Sequence, residues 1–99
     1  MEKLSPHYGL ADVDRLIQLG QIRVTRSARE GAIALGIDFP GMIAVVAKLT
    51  IRDFYKSMTT HADHTIWQDV YHAKAPDGRR IYLKLTIIDS ILIVSFKEL

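Results

Sequence analysis

Apolar residues in the first half of the chain recur at helical spacing. Leu10, Val13, Leu16 and Ile17 share one face, and Gly20 follows where such a helix would end. Ile22-Arg23-Val24-Thr25 reads as a short strand. Ser27 with Glu30 three residues on makes a capping box, which predicts a short helix closed by Gly36. Asp38 caps the next helix, along which Met42, Val45, Val46 and Leu49 form an apolar stripe. Thr50 and Asp53 repeat the box, and Ile51, Phe54, Tyr55 and Met58 predict one more helix. Lys56 falls off that last stripe, toward its edge or solvent.

From Thr65 onward the period changes to two. Three strands are predicted: Ile66 to Lys74, a second in which Ile81, Leu83, Leu85 and Ile87 alternate with polar residues, and a third containing Leu92, Val94 and Phe96. Pro76-Asp77-Gly78 is a three-residue loop with a bulge, and Asp89-Ser90 suits a two-residue turn. These turns set the register. The first pairs Ala75 with Arg79, hence His72 with Tyr82 and Gln68 with Thr86. The second pairs Ile88 with Ile91, hence Tyr82 with Lys97 and Lys84 with Ser95. One face then carries Gln68, His72, Lys74, Tyr82, Lys84, Ser95 and Lys97. The other carries Trp67, Tyr71, Ala73, Ile81, Leu83, Leu85, Leu92, Val94 and Phe96. The fold class is α+β, with N-terminal helices packed on a small antiparallel sheet, and residues 1–99 form one domain.

Composition narrows the chemistry. Hydrophobic residues make up 48% of the 99, enough for one core. The absence of cysteine excludes disulfides, thiolate metal sites and cysteine nucleophiles. No apolar run has the length of a membrane span, and Met1-Glu2-Lys3-Leu4-Ser5-Pro6 lacks a signal peptide's apolar segment, so a cytoplasmic location is expected, with no membrane partner. The net charge of +2 is too small to identify a nucleic-acid partner. Placement says more. A face with three lysines, a tyrosine, a histidine and a glutamine can neutralise phosphate and stack on an unpaired base. From this pattern alone a solvated sheet face is the commoner reading. Trp67, Phe54 and Tyr55 read as core. His61 and His64 flank Asp63 without a third ligand, and no metal site is assigned. Arg79 and Arg80 flank a turn.

Four segments carry a resemblance: Gln21-Ile-Arg-Val-Thr-Arg-Ser-Ala28, Asp53-Phe-Tyr-Lys-Ser-Met-Thr-Thr60, Asp63-His-Thr-Ile-Trp-Gln-Asp-Val-Tyr71 and Ile91-Leu-Ile-Val-Ser-Phe-Lys-Glu98. With them, essentially the whole chain resembles the motility quorum-sensing regulator (MqsR) toxins. The resemblance implies a cytoplasmic mRNA interferase with a RelE-like fold, cutting single-stranded mRNA at short GC-containing sites such as GCU. It implies a cognate antitoxin with a zinc-binding N-terminal domain and a helix-turn-helix DNA-binding domain, DNA being reached only through that antitoxin. The family's active-site positions fall on Lys56, Gln68, Tyr82 and Lys97, of which the register had already put the last three on one face. His72, Lys74, Lys84 and Arg80 are placed to help hold RNA. Cleavage would use the substrate's own 2′-hydroxyl, without metal or cofactor, leaving a 2′,3′-cyclic phosphate and a 5′-hydroxyl. Two other readings stay open: a non-catalytic RNA-binding module, and a transcriptional co-regulator acting through the antitoxin.

Overall fold

The computed structural model describes residues 1–99. Its first helix, α1 (Leu10–Gln18), buries Val13 and Leu16 on the expected stripe. The second, α2 (Arg26–Ala34), begins one residue before the predicted box. Thr25 is its cap, accepting from the Ala28 amide at 3.0 Å through Oγ1. Asp38 caps α3 (Phe39–Ala47) as expected, accepting from Gly41 N at 2.9 Å, and Met42, Val45 and Val46 are buried. Helix α2 buries only Ala28 and Ala32, because it lies very close to the sheet. At Gly31 a Cβ would stand 1.9 Å from the Phe96 carbonyl oxygen, so this approach admits no larger residue without movement.

The predicted fourth helix does not form. The Thr50 and Asp53 box does, with the Asp53 carboxylate accepting from Thr50 N at 2.9 Å, but it caps only a 3₁₀ turn, Ile51–Asp53. The chain then extends as a strand over Phe54–Thr59. Its Phe, Tyr, Met and Thr residues pack well on a pleated surface, and a long neighbouring strand offers a ladder that outweighs a weak helical period.

The sheet has six strands. They are β1 (Glu2–Lys3), β2 (Ile22–Val24), β3 (Phe54–Thr59), β4 (Trp67–Lys74), β5 (Arg80–Ile88) and β6 (Ser90–Glu98), in spatial order β1-β3-β4-β5-β6-β2. All neighbours are antiparallel except β2 and β6, which are parallel. The α+β class therefore stands, while the expectation of helices first and a small antiparallel sheet second is corrected. Strands β1 and β2 are interleaved with the helices and close the two edges of a mixed sheet.

The β4–β5 register is as expected, with Ala75 N bonded to Arg79 O and His72 opposite Tyr82. The ladder stops at Asp69–Leu85, one step short of the expected Gln68–Thr86 pair, and the Thr86 hydroxyl instead donates to the Trp67 carbonyl. The β5–β6 hairpin reaches the expected pairs by an unexpected route. Its turn centres on Asp89 alone, at φ 65°, and pairs Ile88 with Ser90. A register shift opposite Lys84 and Leu85 then restores Lys84–Ser95 and Tyr82–Lys97. Before this bulge the core-facing residues are Ile91 and Ile93, so Leu92 and Val94 are not the core residues that alternation assigned. The helices and one sheet face enclose a single hydrophobic cluster that includes Val13, Met42, Tyr71, Leu83, Ile93 and Phe96. The other face is left open.

Candidate active site on the open sheet face

Cross-strand partners share a face, so the ladders arrange the open side in rows. In one row Lys56 pairs with Val70, Val70 with Lys84, and Lys84 with Ser95. In the next, His72 pairs with Tyr82 and Tyr82 with Lys97. On the far side of the lysine row Met58 pairs with Gln68. Strands lie about 4.8 Å apart, so Lys56 and Lys84 are within roughly 10 Å at their Cα atoms, a gap that two lysine side chains span.

A bulge in β3 adds a residue to the second row. The register shifts between Phe54 and Lys56. Phe54 thereby stays on the core side, packed edge-on against Tyr71 with centroids 5.5 Å apart. Tyr55 turns out onto the open face, 49% exposed, and stacks on His72 at 4.4 Å with 21° between the planes. The Tyr82 ring follows 6.3 Å from His72, and the Lys97 ammonium lies 5.4 Å from the Tyr82 centroid. Tyr55, His72, Tyr82 and Lys97 thus form a ribbon of rings ending in a cation.

The lysines differ in electrostatic setting. Lys56 Nζ donates to a Glu2 carboxylate oxygen at 2.8 Å. That bond holds the Lys56 ammonium charged above the ordinary lysine range and the Glu2 carboxyl below the ordinary carboxylate range. Lys84 and Lys97 have no salt-bridge partner. Desolvation pushes the Lys84 ammonium down, and the Lys97 and Lys56 charges push it further. The floor beneath Lys84 is apolar. Val70 faces this side, is fully buried, and stands outside the hydrophobic cluster, so its cover includes the alkyl stems of its partners Lys56 and Lys84.

All four positions expected to be catalytic lie on this face. Tyr82 and Lys97 are direct partners, Lys56 is in the neighbouring row, and Gln68 is one row further out. Lys56 does so from a strand, where a helix was expected. Of the four residues expected to bind RNA, His72 and Lys84 are central, whereas Lys74 and Arg80 pair with each other at the end of the β4–β5 ladder. Arg79 is occupied by the fold, donating to Asp77 and to the Leu35 carbonyl. Trp67 is outside the core, stacked on His7 at 5.3 Å with the Lys3 ammonium 4.1 Å from its ring. No three His, Asp or Glu side chains gather as a metal-ligand set.

Sequence reasoning missed Tyr55 and Glu2. The signal for Tyr55 was its place beside Lys56, which a bulge turns into a shared face. Glu2 gave no local signal, because a buried carboxylate far along the chain sets its position. Asp69 accepts from the His7 and Tyr8 amides at 3.1 and 2.9 Å, tying the N-terminal segment across the sheet end and aligning β1 on β3.

The family model described as "Motility quorum-sensing regulator, toxin of MqsA" matches residues 5–98. The mRNA interferase toxin MqsR of Escherichia coli (strain K12) is 55% identical over 98 residues, covering 99% of each chain. This chain belongs to the motility quorum-sensing regulator (MqsR) toxin family.

Proposed function

We propose that the chain is the toxin of a toxin–antitoxin pair, an endoribonuclease that cuts mRNA and so halts translation. The observation that carries this reading is the meeting of Lys56, Gln68, Tyr82 and Lys97 on one open sheet face, although they come from four different strands. Such a face holds a phosphodiester between cations and gives its bases rings to lie on.

Helices on one side of a largely antiparallel sheet make a RelE-like fold. Cleavage proceeds by attack of the substrate 2′-hydroxyl on the adjacent phosphate, at GC-containing sites such as GCU, without metal or cofactor. Lys56 and Lys97 neutralise the charge that develops on the phosphate, Tyr82 orients the 2′-hydroxyl or stacks on a base, and Gln68 holds phosphate or a base edge. His72, Lys74, Lys84 and Arg80 extend the grip on RNA. The antitoxin carries a zinc-binding domain and a helix-turn-helix domain, and the toxin works in the cytoplasm.

The purified chain and its Lys97→Ala variant are incubated with a single-stranded RNA containing GCU sites in EDTA. Cleavage at discrete sites by the native chain alone, leaving 5′-hydroxyl ends, is the expected result. RNA binding without cleavage by either protein would replace the reading with a non-catalytic RNA-binding module.

A further inference from the structure

Three cations crowd the middle of the open face, and they are not equivalent. Lys56 sits at the β3 side with a carboxylate, and Lys97 sits at the β6 side over the Tyr82 ring. Lys84 stands between them on the central strand, above the buried Val70, without an acidic partner. The groups facing it are Lys56 from β3, His72 from β4, Tyr82 on its own strand, and Ser95 and Lys97 from β6. The carboxylate that reaches this side, Glu2, is engaged by Lys56.

We propose that Lys84 is a catalytic residue, the amine that takes the proton from the substrate 2′-hydroxyl. A phosphate bridging Lys56 and Lys97 is held above Lys84, which leaves its amine beside the sugar and not opposite the charge. The 2′-oxygen gives its proton to the neutral Lys84 amine and forms the new bond to phosphorus. The bond from phosphorus to the 5′-oxygen breaks, and that oxygen leaves with a proton from the Lys97 ammonium. Transfer of a proton from Lys84 to Lys97 then restores the enzyme. Burial favours the neutral amine first, and the repulsion that adds to it comes from the same two cations that bind the phosphate, so substrate affinity and base strength share one arrangement.

The proposal rests on 2′-hydroxyl attack, and the experiment separates the two. Native chain and Lys84→Arg are compared on a GCU-containing RNA and on its counterpart with 2′-deoxyribose at the scissile nucleotide, from pH 6 to pH 10. Arginine stays cationic throughout and cannot act as a base at these pH values. The expected result is that Lys84→Arg binds the deoxy oligonucleotide within about threefold of native, cuts the RNA about 100-fold or more slowly, and loses the rise of rate with pH. Cleavage within about threefold of native with an unchanged pH profile overturns the base role, as does a loss of binding equal to the loss of rate. Cleavage of the deoxy oligonucleotide by the native chain overturns 2′-hydroxyl attack itself. If the arginine unfolds the chain, Lys84→Gln replaces it, with the same expected and overturning rates.

Discussion

The Lys56 ammonium and the Glu2 carboxylate are joined at 2.8 Å across the first two strands of the sheet. Under the proposed site assignment, this carboxylate competes with a substrate phosphate for the same lysine. This arrangement keeps Lys56 extended toward the β1 edge and places a negative charge at the rim of the open face.

Glu2→Gln removes that charge and frees the ammonium. The affinity for a non-cleavable RNA is expected to rise about twofold to fivefold in moderate salt, the size of an exposed ion-pair effect, and to converge with native in high salt. Fluorescence anisotropy checks this, and weaker binding by the variant would mean that Glu2 positions Lys56 productively. Acid does not reproduce the substitution near neutral pH. The Lys56 bond holds the Glu2 carboxyl below the usual carboxylate range, so the pair persists until the solution is more acidic than that range.

Tyr55 gives the aromatic ribbon its outer ring, stacked on His72 and half-exposed. Tyr55→Ala is expected to weaken RNA binding by about 1 to 3 kcal/mol, a stacking-sized loss, whereas Tyr55→Phe stays within about 0.5 kcal/mol. Dissociation constants for the two variants decide it. Equal losses would put the weight on the hydroxyl.

Tyr71 poses a question of stability. It is fully buried, and its hydroxyl has no hydrogen-bond partner. Burial, reinforced by Asp69 and Asp53, pushes this phenol up to about 12. Tyr71→Phe removes an unsatisfied polar group and is expected to leave Tm unchanged or higher at pH 8. A raised phenol contributes stability below its ordinary value of 10.0, and that contribution is lost as the pH rises through about 12. The advantage of the phenylalanine variant should therefore widen between those values in alkaline thermal melts.

Much of this architecture was legible in the sequence where period and turn chemistry agreed. Asp38 as a cap, the Pro76-Asp77-Gly78 loop and the His72–Tyr82 pair follow from local rules, and the structure keeps them. The Tyr82–Lys97 pair is correct although the turn that predicted it is not. A turn centred on Asp89 moves the register by one residue, and the bulge near Val94 moves it back. Bulges leave no mark in hydrophobic alternation. That is why Leu92 and Val94 were assigned to the core and why Tyr55 was missed. The strand at Phe54–Thr59 was hidden for a different reason: its partner β4 lies later in the chain, and only that partner makes extension favourable. On the open face, residue types were readable, but the inequality among the lysines was not. It depends on Glu2 reaching Lys56 and on Val70 lying beneath Lys84.

Asp69 links the fold to this electrostatic arrangement. Its buried carboxylate accepts two backbone amides, from His7 and Tyr8, and sits opposite the buried Ser57. Asn at this position keeps one acceptor oxygen and turns a donor toward an amide. Asp69→Asn is therefore expected to lose about 1 to 3 kcal/mol of stability, seen as a lower midpoint in urea with the slope little changed. The effect should also reach the open face, since the same segment holds β1 and Glu2 beside Lys56. Once the segment loosens, Glu2 no longer holds the lysine, and RNA affinity should rise as it does in Glu2→Gln. A double-mutant cycle tests this coupling. If Asp69 acts on RNA through Glu2, adding Glu2→Gln to Asp69→Asn gives no further gain in affinity. Additive gains would show that Asp69 reaches the open face by a route other than Glu2, and an unchanged affinity in Asp69→Asn alone would confine Asp69 to the stability of the N-terminal segment.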